Sequence, residues 1–312
     1  MKLVINLITR NRPEILARTI ETTLSNITLP DTVLMVSVDN DDEATKQKLR
    51  WYNAPQVKID IRPREDTTGA KYNRALEDKD AGIIVNLSDY NAFTVKGFDE
   101  KIVEAASLFP DGYGLVVNHL RNASFPDTFA MTRKLADKLG YYAPPLFTYW
   151  FWDHWVFELC QRIDRVFVAD TRVEYDKQGK PPTMGLRELG WWTTFFDCAY
   201  LHRRMVADAI VDSEEFEEAS WRKKQIKAMV PHIEYRSKWI NDSVRQQARD
   251  LEWQASQGGI IKQDDRYMRA KGQATALVPG LIAGMPPEEQ QAWAARLLPP
   301  ANVVNIQRVG VR

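Results

Sequence analysis

The chain has 312 residues, 44% of them hydrophobic and 27% charged, a globular composition long enough for one large domain or a domain with an addition. Its 42 basic and 42 acidic side chains balance to a formal net charge of zero at pH 7. That excludes a whole-molecule field drawing the chain to nucleic acid or anionic lipid, and such a partner would need a local basic patch.

Residues 2–8, Lys-Leu-Val-Ile-Asn-Leu-Ile, read as a first strand. Thr9-Arg10-Asn11-Arg12-Pro13 is a polar loop, and apolar spacing through Ile15, Leu16, Thr19, Ile20 and Leu24 predicts a helix that Pro13 opens. A second, β-branched strand over 33–38 ends in Asp39-Asn40-Asp41-Asp42-Glu43, with a helix to about Tyr52. A third strand covers 57–61, a loop 62–69, and a helix begins at Ala70. Gly82 opens a fourth, buried strand over 83–87, which releases Ser88-Asp89-Tyr90-Asn91.

Strands alternating with helices indicate a mainly parallel α/β sheet, in which ligands bind beyond the carboxyl ends of the strands. Thr9–Arg12, Asp39–Asp42, Thr67–Asn73 and Asp89–Asn91 all fall at such ends. Four polar clusters on one edge point to a polar, phosphorylated ligand. On an extended chain, Asp89 and Asn91 present oxygen-bearing side chains to the same side, which suits a hard divalent cation. A polar turn is the plainer account of that tetrapeptide alone.

Further on, the pattern predicts a helix over 98–108, a strand over 114–118, a short strand over 129–131 and a helix over 132–139 that Gly140 caps. The stretch 141–155 is dense in aromatics and contains Pro144-Pro145; a helix starts near Asp153 and runs to Ile163, followed by a strand over 166–169. From about Lys177 the character changes to a Gly/Pro-containing loop. Charged segments of helical spacing then cover 193–212, 213–229 and 231 to about 256, and a last helix covers 286–298. Cys160 and Cys198 make neither a disulfide framework nor a zinc site, so a reduced, cytoplasmic setting is expected. No apolar run reaches the roughly 20 residues that span a bilayer, and no signal-peptide pattern follows the first strand.

Residues 2–13, Asp39, Gly69–Asn73 followed by Ala75-Leu76, and Ser88–Phe93 together resemble nucleotide-sugar glycosyltransferases of the GT-A fold, with family 2-like members nearest. Met131-Thr132-Arg133, Leu139-Gly140-Tyr141, Pro144-Pro145 and Trp152-Asp153-His154-Trp155 are similar to the acceptor half of those enzymes, including members encoded by bacterial viruses. The resemblance implies a Rossmann-like, mainly parallel sheet flanked by helices. It makes 1–176 the catalytic domain and leaves 177–312 as a helical extension expected to bind the acceptor. The implied reaction moves a sugar from a nucleoside diphosphate, with UDP expected, to an acceptor hydroxyl. A hydroxymethylated pyrimidine in phage DNA, inside the host cytoplasm, is one candidate acceptor, and a saccharide or glycolipid is the other.

By the same resemblance, Asp89 and Asn91 would hold Mg²⁺ or Mn²⁺ against the diphosphate. Asp39 would meet the base or ribose, and Thr9 and Arg12 the nucleotide's edge. Lys71 and Asn73, behind Gly69, would face phosphate. Asp153 would be the general base, with Trp150, Trp152 and His154 around the acceptor. One departure matters: the family's Asp-X-Asp is Asp89-Tyr90-Asn91 here, and a neutral amide binds metal more weakly than a second carboxylate.

Plainer accounts stand beside these roles. Asp89 also suits a turn cap, Lys71 and Arg10 surface charges, and Asp153 a helix N-cap, while Asp41 or Asp42 suits the cap of the next helix. Arg203-Arg204 and Arg222-Lys223-Lys224 with Lys227 read as solvated helix faces paired with Glu214, Glu215, Glu217 and Glu218, rather than as DNA-phosphate contacts. Two other classes stay open. A nucleotidyltransferase would carry a Gly-rich loop after the first strand, which Thr9–Pro13 lacks. A non-catalytic sugar-nucleotide or nucleic-acid binder would tolerate Tyr90-Asn91.

Overall fold

A computed structural model of the chain describes residues 1–121, 125–175, 188–234, 242, 245–246 and 265–299. Its Cα packing separates two units. The first comprises Met1–Pro145, Asp164–Pro181 and Glu214–Glu217; the second comprises Leu146–Ile163, Pro182–Ser213 and Glu218–Arg312.

The first unit is built on a seven-stranded sheet of order β3-β2-β1-β4-β7-β6-β8. β1 (Lys2–Ile8) runs parallel to β2 (Val33–Asp39) and β4 (Ala81–Ser88), and β2 runs parallel to β3 (Val57–Arg62). Leu3, Val4, Ile5 and Leu7 are all fully buried, as a central parallel strand covered on both faces requires. Asn6 is the polar exception in β1. It donates to the carbonyls of Lys71 and Tyr72 and accepts from Ser37 Oγ, so it is satisfied.

α1 (Pro13–Asn26) and α2 (Glu43–Leu49) are the first crossovers. α1 buries Leu16, Ala17, Thr19, Ile20 and Thr23 along one stripe. α3 (Thr68–Tyr72) is a single turn that tightens into a 3-10 turn at Asn73–Glu77. α4 (Phe98–Ser107) follows the short strand β5 (Asn91–Phe93).

At β4 the sheet changes direction. β7 (Phe125–Thr132) pairs antiparallel with β4 and with β6 (Leu115–Arg121), and β6 pairs parallel with β8 (Val166–Val168). The β4–β7 ladder runs only through Ile83, Ile84 and Val85. At Asn86 the side chain takes over: Oδ1 accepts from Phe129 N at 2.9 Å and Nδ2 donates to Asp127 O at 2.7 Å. The Asn86 backbone N–H turns instead to the fully buried Tyr142 hydroxyl at 2.9 Å. The two strands therefore part just before Ser88. β7 is longer than the expected 129–131 because it pairs with β6 as far as Phe125, through a stretch with no apolar pattern. α5 (Arg133–Leu139) ends at Gly140, whose φ of 79° makes it the expected cap.

The second unit is helical: α6 (Trp152–Arg162), α7 (Leu189–Cys198), α8 (Tyr200–Val211), α9 (Ser220–Ala228) and two further helices, Asp265–Ile282 and Pro287–Leu297. The expected single helix over 193–212 breaks at Ala199, and that expected over 213–229 is helical only from Ser220. Most of the expected segment over 231–256 lies outside the described residues. No helix among the described residues is long and apolar enough to cross a membrane.

Of the basic pair at 203–204, Arg203 is not on a solvated face, while Arg204 stays partly exposed. Arg203 is buried and donates to Glu158 Oε1 at 2.9 Å, which also accepts from Arg162 at 2.6 Å, while Arg204 pairs with Glu234 at 2.7 Å. Glu158 shares one carboxylate between two buried guanidiniums, an arrangement stabilised only while all members are present. Glu215, expected as a partner of these helices, instead bonds Tyr113 Oη and Lys138 Nζ in the first unit.

Candidate functional site

The chain leaves β1 through Thr9, Arg10, Asn11 and Arg12 before α1 begins. Asn11 has a φ of 55°, which Asn tolerates, and its N–H donates to Asp42 Oδ2 at 2.6 Å. Asp42 also caps α2 by accepting from Thr45 N at 3.2 Å, which settles the cap between Asp41 and Asp42.

Thr9 is the hub of the carboxyl edge. Its hydroxyl donates to Asp89 Oδ2 at 2.9 Å, and its carbonyl accepts from Lys71 Nζ at 2.8 Å. Lys71 Nζ also donates to Asp39 Oδ1 at 2.7 Å, and Asp39 Oδ2 accepts from Arg10 Nη1 at 2.9 Å. Arg10 continues to Asp41 with two bonds of 2.7 and 2.9 Å. On the other side, Arg12 Nη1 donates to Asp89 Oδ1 at 3.0 Å, and its guanidinium lies 5.8 Å from the Tyr90 ring centroid. Tyr90 stacks on Tyr175 at 6.1 Å. Thr19 Oγ1 holds the turn from within α1 by donating to the Asp89 carbonyl at 2.7 Å.

Thr9, Arg12, Asp39, Lys71 and Asp89, five of the residues singled out from the sequence, thus form one hydrogen-bonded array. Arg10, for which a surface charge was the alternative, belongs to it. Thr19 and Tyr175 were not foreseen; Thr19 reads as a helix-face residue, and nothing near Tyr175 marks it.

The electrostatics follow from burial. Asp39 is 2% exposed and has four cations around it: Lys71 and Arg10 in contact, Arg74 at 3.7 Å and Arg64 at 3.8 Å. Burial pushes the Lys71 ammonium below its ordinary value, against the pull of Asp39. Burial pushes Asp89 above the usual carboxylate value, with Arg12 opposing it. At the exposed end, hydrogen bonding to Arg10 draws Asp41 down to about 2.

Two expected residues stand apart from the array. Asn73 spends its side chain on the loop after α5, accepting from Tyr142 N and Ala143 N and donating to Ala143 O. Asp89 and Asn91 do not lie on one extended segment as expected, because residues 89–90 form a turn and Asn91 begins β5. Its Nδ2 reaches Thr128 Oγ1 at 3.5 Å, and its buried Oδ1 accepts no hydrogen bond among the described residues.

These contacts test the divalent cation that the resemblance implies. The carboxylate of Asp89 is already charge-neutralised by Arg12, and the companion position supplies a neutral amide. A doubly charged ion about 5 Å from a guanidinium is repelled by about 7 kcal/mol at an effective dielectric of about 20, which offsets about half of its attraction to the one carboxylate at about 2.2 Å. The second acid of the rim, Asp39, is bound to Lys71 and Arg10. Among the described residues no three His, Cys, Asp or Glu side chains are grouped as metal ligands. The donor set does not match a two-carboxylate metal site.

Asp153, His154, Trp150 and Trp152 belong to the second unit. α6 starts at Trp152, and its N-cap is Phe151 with a φ of 72°, so Asp153 is not the cap. A left-handed aromatic residue stores strain that the surrounding packing must hold. Asp153 Oδ1 accepts from His154 N and lies 2.9 Å from His154 Nδ1. The His154 ring lies against Phe151 at 5.1 Å and Phe196 at 6.3 Å. Trp152 is buried; Trp150 is half-buried, and its Nε1 donates to nothing among the described residues.

No family model matches the chain, and no curated protein sequence matches it. Solved structures do. The mannosyltransferase PcManGT from Pyrobaculum calidifontis, in complex with GDP-Man and Mn²⁺, superposes with a TM-score of 0.50 at 15% identity, covering 98% of this chain and 86% of that one. Residues 1–349 of S. aureus TarS, in complex with UDP-GlcNAc, give 0.51 at 13% identity, covering 99% and 90%. With its mostly parallel seven-stranded sheet flanked by helices, the chain carries the GT-A fold of these glycosyltransferases.

Proposed function

We propose that the chain is a glycosyltransferase that moves a sugar from a nucleoside diphosphate sugar, with UDP the expected nucleotide, to an acceptor hydroxyl. The observation that carries this reading is the array at the carboxyl edge. Four loops deliver Thr9, Arg10, Arg12, Asp39, Lys71 and Asp89 to one rim of a GT-A sheet, where open α/β sheets bind their ligands. Solved structures of this fold contain GDP-Man and UDP-GlcNAc, and that supports a nucleotide-sugar donor.

In the proposed reaction the acceptor oxygen forms a bond to the anomeric carbon as the bond from that carbon to the β-phosphate oxygen breaks. The electron pair leaves with the nucleoside diphosphate. The acceptor's proton passes to a carboxylate, for which Asp153 is the candidate; its hydrogen bond with His154 fixes one oxygen and leaves the other for the acceptor. Trp150, three residues before it in the chain, is half-buried and keeps surface on which a sugar or base can stack. The burial of Arg203 against Glu158 removes one support for a DNA acceptor, so the acceptor is chosen by assay.

The test is release of nucleoside diphosphate from UDP-glucose, UDP-GlcNAc and GDP-mannose, with hydroxymethylcytosine DNA, simple saccharides or a glycolipid as acceptor. Turnover that falls at least about 100-fold in Asp153→Asn is expected, the scale of a lost general base. Binding of nucleotide without turnover across the panel would instead favour a non-catalytic binder.

A further inference from the structure

The rim's poor match to a metal site has a counterpart in what occupies that place. Arg12 is a partly exposed guanidinium, held from two sides: Asp89 accepts from Nη1, and the Tyr90 ring, itself stacked on Tyr175, lies beneath it. Among the described residues it makes no other hydrogen bond, so its remaining N–H groups are open to a ligand. Arginine's planar fork matches the oxygens of a phosphate two at a time. Arg12 is also the residue from which the 14-residue α1 departs, and no side chain caps that helix end. The positive end of the helix adds to the field at the same place.

We propose that this rim holds the diphosphate of its donor with the Arg12 guanidinium in the place of a divalent cation, so that donor binding is independent of metal. The inference rests on the nucleotide-sugar reading above and deepens it. Asp89 then acts as a positioning residue: it fixes the rotamer of Arg12 and keeps the fork aimed, while Tyr90 supports its face. In the transfer step Arg12 stabilises the negative charge that gathers on the departing diphosphate; no covalent bond to the protein forms.

The experiment is calorimetric titration of the full chain with UDP and GDP, in EDTA and in millimolar Mn²⁺. Affinities within about threefold of each other are expected, where a bridging cation shared with the protein gives orders of magnitude. Arg12→Met is expected to weaken diphosphate binding at least about tenfold in both buffers, and to flatten its dependence on ionic strength. Arg12→Lys keeps the charge without the fork and should fall between the two, which separates a lost contact from a misfolded variant. Binding that requires Mn²⁺, or metal-free binding that Arg12→Met leaves unchanged, overturns this inference and leaves the nucleotide-sugar reading standing. No binding of either nucleotide in either buffer overturns both.

Discussion

Asp89 shows how a single side chain at the rim trades stability for position. Its folded carboxyl titrates above the ordinary value because burial outweighs Arg12. A raised carboxyl means that the folded state holds the proton more tightly than the unfolded chain, so its contribution to stability declines as pH rises through the folded value. Asp89→Asn removes that penalty. Its denaturant midpoint is expected to equal or exceed the parent's at pH 7, the gap closing toward pH 4, while nucleoside diphosphate binding weakens. A large loss of stability at pH 7 would show that the Arg12 and Thr9 contacts outweigh burial. Lys71 poses the opposite case. Lys71→Ala takes the shortest partner from the buried Asp39 carboxylate, and a cost of about 3 kcal/mol is expected from urea unfolding, since Arg10 alone then touches it.

At the scale of elements, a buried acceptor holds the loop that enters β2, at the amino end of the strands and away from the rim. Asp99, fully buried in the first turn of α4, accepts from Thr28 N and Oγ1, Leu29 N at 2.8 Å and Thr32 Oγ1 at 3.0 Å. Asp99→Ala strands those donors, and a loss of about 3–5 kcal/mol is expected in chemical denaturation. Gly69 plays a steric part: a Cβ there would meet the Pro144 carbonyl oxygen at 2.4 Å, so Gly69→Ala should push α3 off the loop that Asn73 and Thr67 bind. A lower melting temperature with weaker nucleotide binding is the expected result. Much of this was legible from the sequence. β1, β2 and β4 read correctly because strands covered on both faces are continuous apolar runs, and their polar ends marked the rim. The pairing of Arg12 with Asp89 and Lys71 with Asp39 was not legible, because it links residues 77 and 32 positions apart through the register of the sheet. The helix Asp265–Ile282 was missed because Gly272, Pro279 and Gly280 imitate a loop, and the Ala199 break because its flanks share one apolar spacing.

On the scale of the whole chain, the two units differ in how their stability can be read. Nine of the ten tryptophans, all but Trp51, fall within the second unit. Tryptophan fluorescence therefore reports mainly on that unit. Glu158→Ala leaves Arg162 and Arg203 buried without their shared carboxylate, and a loss of about 3–5 kcal/mol is expected in the fluorescence transition. The Glu158 carboxyl is held below its ordinary value by Arg203 and Arg162 against the cost of burial. Its stabilisation is present above the unfolded value and is lost as pH falls through the folded one. The parent's fluorescence midpoint should drop on acidification in that window, and the drop should be smaller in the variant.

The first unit is completed from far down the chain. Phe216, buried, sits under the Arg165 guanidinium at 4.2 Å and beside Tyr113, while Glu217 N donates to Asp111 Oδ2. During synthesis the sheet's last strand, β8, is made 49 residues before Glu217, a wait of about 2–10 s at about 5–20 residues per second. Through that interval Arg165, Tyr113 and Asp111 lack the contacts that Phe216 and Glu217 later supply. A fragment ending at residue 176 would lack Phe216 and Glu217 and so leave Arg165, Tyr113 and Asp111 without these contacts.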